Sequence, residues 1–350
     1  MTIVVDARLI SKSGIGYYTR IVIFSLYDLD LYIFGDSGEI LKYFKDFPEK
    51  RIINTSNNKL KFNLLLNKWP SHVDFFLCPH IFVPLRFKGA LIITVHDLVQ
   101  LSDYFEANRF YKFIYKIYLN FVISKSKKIL TVSNFSKNEI LEKFRNVFTK
   151  TFVLKLAITD EWLQFYKNHH QSLKQNYFVL IGNLKKHKNI QIVIDAFLDL
   201  RAENYKLFIV GTNKGFFTND KINPTHLNCD KKNIYFLENL QNEELKKLLL
   251  KSRALIMPTL YEGFGIPPLE AISVFTIPII SSIPVFHEIY GNIPYMFDPL
   301  SALDLTSKMK EVINLSITDY KLITYSNHKI LEKYHLSSFK VLLLKILTEK

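Results

Sequence analysis

Two glutamates, Glu262 and Glu270, stand eight positions apart in the stretch LYEGFGIPPLEAIS, around Gly263-Phe264-Gly265 and Pro267-Pro268. Upstream, Ala254-Leu-Ile-Met257 is a short apolar run of the kind that makes a buried strand. Downstream, Leu269, Ala271 and Ile272 open a helical pattern, and Pro267 or Pro268 fits its first position, where a missing N–H costs nothing. The stretch predicts strand, glycine turn, helix start. In an open parallel sheet that junction lies at the carboxyl ends of the strands, where ligands bind. Gly263 and Gly265 let backbone N–H groups approach a ligand closely, so turn and acids together form a candidate binding loop. Taken singly, Glu270 is equally an acid stabilised in a helix's first turn, and Glu262 a solvated loop residue.

A second constellation is FVLIGNLKKHKNIQIVIDAF, residues 178–197. Its apolar strand ends at Gly182, a loop runs from Asn183 to Lys188, and a helix starts near Asn189, a suitable N-cap. Lys185, Lys186 and Lys188 crowd the positive end of that helix, which the macrodipole disfavours unless an anion is bound there. A solvated basic loop is the plainer reading. His96 and Asp97 follow the strand-like run Leu91-Ile-Ile-Thr-Val95, again at a carboxyl end. Histidine titrates near neutrality and donates to ligand oxygens, which suits acid–base or positioning work; a packed structural histidine beside a turn aspartate is the alternative.

Residues 109–125, RFYKFIYKIYLNFVISK, predict a helix in which Arg109, Lys112, Lys116 and Asn120 form one polar stripe. Nearly everything else in it is Phe, Tyr, Ile, Leu or Val. Such a helix is either mostly buried with one wet edge, or a basic, aromatic surface for anionic lipid or an amphiphilic acceptor.

These residues need a scaffold, and the sequence describes one. A strand at 3–5, a glycine-bearing loop from Asp6 to Gly16 and a helix over 17–26 form the opening unit of a doubly wound α/β domain. Strand-like runs recur at 31–34, 75–78, 90–95 and 129–132, and a second series at 177–181, 206–210, 233–236, 254–257 and 277–281. Two β/α series predict two Rossmann-like domains, 1–160 and 161–330, joined near 156–174. A C-terminal helix within 331–350 is expected to cross back to the first.

The 350 residues suit about two domains on the length prior. At 48% hydrophobic and 22% charged, the chain is that of an ordinary globular protein with a large core. Cys78 and Cys229 are far apart and have no CxxC partner, so neither a disulfide framework nor a structural zinc site is indicated. No signal-peptide apolar region follows Met1, and no uncharged apolar run is long enough to span a bilayer, so a cytoplasmic protein is expected. The excess of 46 basic over 32 acidic residues gives +14, which attracts nucleic acid, anionic lipid or phosphorylated substrates. No RNP-like motif, helix-turn-helix spacing or zinc pattern supports nucleic acid.

In this order the pieces resemble the retaining, nucleotide-sugar-dependent glycosyltransferases of family four. That resemblance implies an α/β GT-B fold, two Rossmann-like β/α/β domains facing a central cleft. Glu262-Gly-Phe-Gly-Ile-Pro-Pro-Leu-Glu270 is similar to the family's E-x7-E motif, and DARLISKSGIGYYT at 6–19, HDL at 96–98, VSNFSKNEI at 132–140 and GNLKKHKNI at 182–190 match further segments. The likeness runs from about residue 3 to about 300. By resemblance, Glu270 binds the nucleotide ribose, as a carboxylate accepting from two vicinal hydroxyls, and Glu262 contacts the donor sugar. Gly263 and the backbone N–H groups of Phe264, Gly265 and Ile266 border the sugar and phosphate. Lys188, with Lys186 beside it, neutralises the diphosphate leaving group. His96 lies near the sugar–phosphate bond, and Gly14 and Gly16 near donor phosphate and acceptor. The departing phosphate oxygen takes the acceptor proton, so no separate base, metal or cofactor is required.

The resemblance further implies a hexose donor, with a lean to GDP-mannose, and a glycan or lipid-linked acceptor in O-antigen or capsule synthesis. Arg109, Lys112 and Lys116 would then rest on an anionic membrane surface, giving a peripheral protein of the inner membrane face. Three departures stand out. His187 replaces the arginine usual before the phosphate lysine, Phe275 replaces the glycine after the second glutamate's helix, and the asparagine–glycine usual beyond the interdomain strand is missing from LKLAITDEW. Glu288 fits a family glutamate with weaker flanks. Competing readings are a metal-dependent transferase using Asp28-Leu-Asp30, a non-catalytic basic surface or nucleic-acid binder, and a GT-B epimerase or phosphorylase.

Overall fold

The computed structural model describes residues 1–55, 69–84, 86–169, 174–211, 233–238, 240–291, 293 and 295–349; Cys229 and Asn292 lie outside them. The chain forms two compact units. The first comprises Met1–Leu101, Asn108–Ala157 and Leu336–Lys350, the second Ser102–Ala107 and Ile158–His335.

The first unit is built on β1 (Thr2–Asp6), β2 (Asp30–Gly35), β3 (Ile52–Asn54), β4 (Phe75–Cys78), β5 (Ala90–Val95), β6 (Lys128–Thr131) and β7 (Thr151–Val153). They form one parallel sheet in the order β3-β2-β1-β4-β5-β6-β7. Val4, Phe76, Ile93 and Ile129 sit in a core covered by Leu119, Val122 and Ile123 of the helix Arg109–Lys125. The helix Leu336–Thr348 packs on the helix Ser13–Ser25, where Phe339 meets Tyr18 edge-on at 6.0 Å. Its end is held by Lys128, a buried lysine whose ammonium donates to the carbonyls of Ile346 and Glu349. A cation there satisfies carbonyls that a helix terminus leaves unpaired.

The second unit carries β8 (Tyr177–Ile181), β9 (Lys206–Val210), β10 (Ile234–Leu237), β11 (Ala254–Met257), β12 (Ile277–Ser281) and β13 (Tyr295–Phe297). Its sheet is again parallel, in the order β10-β9-β8-β11-β12-β13. Phe178, Leu180, Ile256 and Ile279 pack beneath Ile190, Val193, Ile194 and Phe197 of the helix Ile190–Asp199. Both units are therefore Rossmann-like α/β layers. In both, the strand order reverses beside the first strand: between β1 and β4, and between β8 and β11. The loops after those strands border the crevice in which such sheets bind ligands.

Two local expectations are corrected. The first helix begins at Ser13, so Gly14 and Gly16 lie in its opening turns and not in a loop before it. Gly16 is needed because a Cβ there would meet the Ile10 carbonyl oxygen at 2.3 Å, whereas a Cβ at Gly14 would meet nothing within 4 Å. Asn189 occupies the N-cap position but makes no side-chain cap bond; it is left-handed, at φ 52°, and its amide donates to the Pro299 carbonyl at 2.7 Å.

Candidate active site

Lys188 and Glu262 form an ion pair in the second unit. Their elements explain the meeting. Lys188 ends the short 3-10 turn Lys186–Lys188 that follows β8, and Glu262 lies in the turn that follows β11, the neighbouring strand across the order reversal. The two loops are stitched together: the Leu260 N–H donates to the His187 carbonyl at 2.8 Å, and the Thr259 hydroxyl lies 3.1 Å from that same oxygen. Both charged side chains are mostly buried, so neither charge is fully paid back by water.

The glycine turn is held from behind. Gly265 has φ +83°, and a Cβ there would press on the Phe286 ring at 2.6 Å, so only glycine fits. Its carbonyl accepts from the hydroxyl of Tyr290, which is buried against Glu262, Glu270 and Tyr334. Burial, with those acids beside it, raises the Tyr290 pKa well above the ordinary phenol value, so it remains a donor. Phe264 is buried edge-on against Tyr334, with ring centres 5.7 Å apart. The helix Pro267–Ser273 then starts with proline at its first position, as the sequence reading expects, and carries the buried Glu270 in its first turn. It ends in paired bonds, Phe275 N–H to Ile272 and Thr276 N–H to Ala271. That closure requires a left-handed residue, normally glycine, and Phe275 takes it at φ 53°. Its ring stacks on His328 at 4.3 Å and meets Tyr325 edge-on, contacts a glycine would lack.

The lysine cluster divides. Lys186 pairs at the surface with Glu106, whereas Lys188 faces Glu262. His187 does not replace a missing arginine's charge, because burial, helped by Lys188 and Lys185, lowers its pKa to about 3. Of these two lysines, Lys188 is the one that the fold turns towards Glu262 in the glycine turn.

Gly14, Gly16, His96, Arg109, Lys112 and Lys116 belong to the first unit. His96 follows β5, and its Nε2–H donates to the Pro79 carbonyl at 2.9 Å, leaving Nδ1 as an acceptor. Tyr18, from the helix that holds both glycines, meets the imidazole edge-on at 4.8 Å. Burial lowers the His96 pKa to about 4, so it is neutral at pH 7 and suited to positioning. Asp97 accepts from the Val99 N–H at 3.1 Å, as a turn aspartate does. The pair Asp28 and Asp30 is tied up in surface contacts: Asp28 with Lys340 at 2.7 Å, Asp30 with Thr2 at 2.6 Å.

Sequence reasoning missed a buried cluster at the order reversal of the first sheet. Arg8 grips Asp6 at 2.9 and 2.6 Å, the Cys78 thiol lies 3.5 Å from the same carboxylate, and His80 Nε2 lies 3.7 Å away. Asp6, Cys78 and His80 could offer three ligand atoms to a metal, but the Arg8 guanidinium already neutralises the carboxylate. The Phe82 N–H donates to His80 Nδ1 at 3.2 Å, and burial lowers the His80 pKa to about 4. Only the strand-end positions of these four residues could have betrayed them. Tyr290 was missed because its turn lies 25 residues away in sequence.

Comparison with known proteins agrees with this geometry. Residues 164–329 match the family described as glycosyl transferases group 1. The chain is similar to an O-antigen chain mannosyltransferase, RfbU, of Salmonella typhimurium, with 31% identity over 231 residues, 64% of this chain and 61% of RfbU. It is likewise similar to O-antigen chain mannosyltransferase B of Escherichia coli, with 27% identity over 63% of this chain and 60% of the relative. The chain thus spans about three fifths of the length of these relatives. Among solved structures, HepE of Anabaena, in complex with UDP and glucose, superposes over 100% of both chains with a TM-score of 0.74 at 12% identity, a likeness of fold. By its motifs, its two parallel sheets and these matches, the chain has a GT-B fold and resembles the glycosyltransferases of group 1, the family-four type, with the family match lying in residues 164–329.

Proposed function

We propose that the protein transfers a hexose, with retention of anomeric configuration, from a nucleotide-diphosphate sugar to a growing envelope polysaccharide of the O-antigen kind. The observation that carries the reading is the Lys188–Glu262 pair, held at the strand-order reversal of the second sheet, with the buried Glu270 in the first turn of the helix that follows the same glycine turn. A diphosphate needs a cation with little competing hydration, a ribose needs an acceptor for two vicinal hydroxyls, and a sugar needs a carboxylate at its hydroxyl edge. Lys188, Glu270 and Glu262 supply these in turn, and the turn at Phe264, Gly265 and Ile266 adds backbone N–H groups.

In the reaction, Lys188 stabilises the negative charge that builds on the leaving diphosphate. The acceptor hydroxyl attacks the face that the diphosphate is leaving, and the departing phosphate oxygen takes its proton. The anomeric carbon–oxygen bond to phosphate breaks as the new glycosidic bond forms, and nucleoside diphosphate is released. Neutral His96 positions rather than titrates. Likeness to mannosyltransferases favours mannose from GDP-mannose. The test is a thermal-shift panel of GDP, UDP and dTDP sugars: occupancy at 100 times the dissociation constant stabilises the fold by about 2.7 kcal/mol. GDP-mannose is expected to give the largest shift. A chain that no nucleotide sugar stabilises would contradict the proposal.

A further inference from the structure

A backbone N–H serves a ligand only if its peptide plane faces the right way. A trans peptide sets its carbonyl and the N–H that follows antiparallel in one plane, so fixing one end fixes the direction of the other. In the peptide from Gly265 to Ile266 the carbonyl is held by the buried Tyr290, whose hydroxyl donates to it. The Ile266 N–H therefore points away from Tyr290. Among the described residues no carbonyl or side chain accepts from it. The Ile266 carbonyl, by contrast, takes the Leu269 and Glu270 N–H groups at 2.9 and 3.2 Å. Pro267 and Pro268 have no N–H, so Ile266 supplies the last donor of the turn.

That plane needs a holder. Gly265 has no Cβ, so its own sterics leave ψ broad at the left-handed φ of +83°. Ile266, branched at Cβ and at φ −73°, resists a full flip of the plane but not a tilt. A tilt would bring the negative end of the Gly265 carbonyl towards a ligand oxygen that needs a donor. The helix Pro284–Tyr290 presents Phe286 and Tyr290, one turn apart, to this glycine. Phe286 fills the space a Cβ would take, and its ring meets that of Tyr290 edge-on at 5.7 Å. The Tyr334 hydroxyl donates to the Ile289 carbonyl at 3.0 Å and ties down the end of that helix. Burial first, then Tyr334, Glu262 and Glu270, raises the Tyr290 pKa well above the ordinary phenol value, so its hydroxyl keeps the proton it donates. We propose that Tyr290 is a positioning residue of the transfer reaction: by holding the Gly265 carbonyl, it aims the Ile266 N–H at an oxygen of the donor's sugar–diphosphate end. This role rests on the reading of the Lys188–Glu262 site as a nucleotide-sugar site.

Tyr290→Phe removes the hydroxyl and leaves the ring packed on Phe286. Isothermal titration with guanosine, GDP and GDP-mannose, or the same series of whichever base stabilises best, reads the consequence. GDP-mannose is expected to bind roughly tenfold more weakly than to the wild type, with guanosine changed by less than about twofold. A matching loss for GDP supports the role with a phosphate oxygen as acceptor; a loss confined to GDP-mannose supports it with a sugar oxygen. Tyr177→Phe is the control, because that buried tyrosine donates to the Leu248 carbonyl at 2.8 Å from the start of β8 and loses a bond of the same kind. Both variants should melt a few degrees below the wild type, and only Tyr290→Phe should lose donor affinity. In protein carrying heavy nitrogen at isoleucine, GDP-mannose should move the Ile266 amide proton downfield in the wild type and much less in Tyr290→Phe. That signal is identified by its loss in Ile266→Val. Unchanged affinities in Tyr290→Phe, an equal loss for all three ligands, or an unmoved Ile266 amide in the wild type overturns the positioning role and leaves nucleotide-sugar binding standing. A wild type that binds no nucleotide sugar overturns the reading of the site, and the role with it.

Discussion

Glu262→Gln is the most informative substitution at the pair, because it separates a cation poised for diphosphate from a salt bridge that only braces two loops. Lys188 and Glu262 are 20% and 15% exposed at their side chains. Removing the carboxylate charge therefore costs stability between the roughly 0–1 kcal/mol of a surface pair and the roughly 3–5 kcal/mol of a broken buried one. Binding should move the other way. A diphosphate reaching Lys188 in the wild type displaces Glu262 from it, whereas in Glu262→Gln that competition is gone. Affinity for free GDP or UDP is expected to be unchanged or up to about tenfold tighter, although transfer falls. Lys188→Met removes a charge-assisted bond worth about 1.5–3 kcal/mol, which predicts roughly 10- to 100-fold weaker nucleoside diphosphate binding. Isothermal titration with nucleoside, monophosphate and diphosphate reads this directly. If Glu262→Gln weakens the diphosphate as much as Lys188→Met does, or if both weaken the nucleoside equally, the pair is a structural brace and the assignment is wrong.

Glu270→Gln should weaken nucleotide binding by about 1.5–3 kcal/mol while making the site indifferent to a 2′-deoxy nucleotide; a deoxy penalty equal to the wild type's would remove Glu270 from the ribose. Gly265→Ala forces a Cβ into the Phe286 ring at a left-handed position and should destabilise by about 2 kcal/mol or more, whereas Gly14→Ala should be near neutral; equal melting points for both would refute the packing argument. Burial lowers the pKa of His80 and His96 to about 4, so the unfolded chain takes up protons that the folded one refuses. Their contribution is full above about pH 6.5, is lost as pH falls from there towards 4, and amounts to at most about 3 kcal/mol each. Urea titrations of His80→Asn and His96→Asn should each show a pH slope shallower than wild type by about one proton in that window; identical slopes would refute the burial argument.

The sequence shows the central strands and obscures the edges. The runs at 75–78, 90–95, 177–181, 206–210, 254–257 and 277–281 coincide with β4, β5, β8, β9, β11 and β12, because strands buried on both faces are unbroken apolar runs. The strands it does not show are β3, β7 and β13, each three residues long and each at the margin of its sheet, where one neighbour suffices and no apolar pattern can build. At the site, Glu262, Glu270, Lys188 and the glycine turn were legible because each sits at a strand end with a local rule broken or a glycine demanded. Tyr290, Arg8 and His80 were not, since their meaning comes from partners distant in sequence or buried by the fold. The helix Arg109–Lys125 kept two readings in the sequence, mostly buried or exposed and aromatic, for a related reason: hydrophobic residues all round a helix look alike until the core shows which half it has taken.

The central claim is nucleotide-sugar-dependent transfer through the Lys188–Glu262 site, and its most direct test is the anomeric outcome of the reaction. Wild type, Lys188→Ala and Glu262→Ala would be incubated with GDP-mannose or the best-stabilising nucleotide sugar and a lipid-linked saccharide acceptor. Nucleoside diphosphate release would be followed and the product's anomeric proton resolved by NMR. The account predicts a new glycosidic bond with the donor's own configuration in the wild type and a rate lower by at least about tenfold in each variant. An inverted linkage, or wild-type rates in both variants, would contradict it.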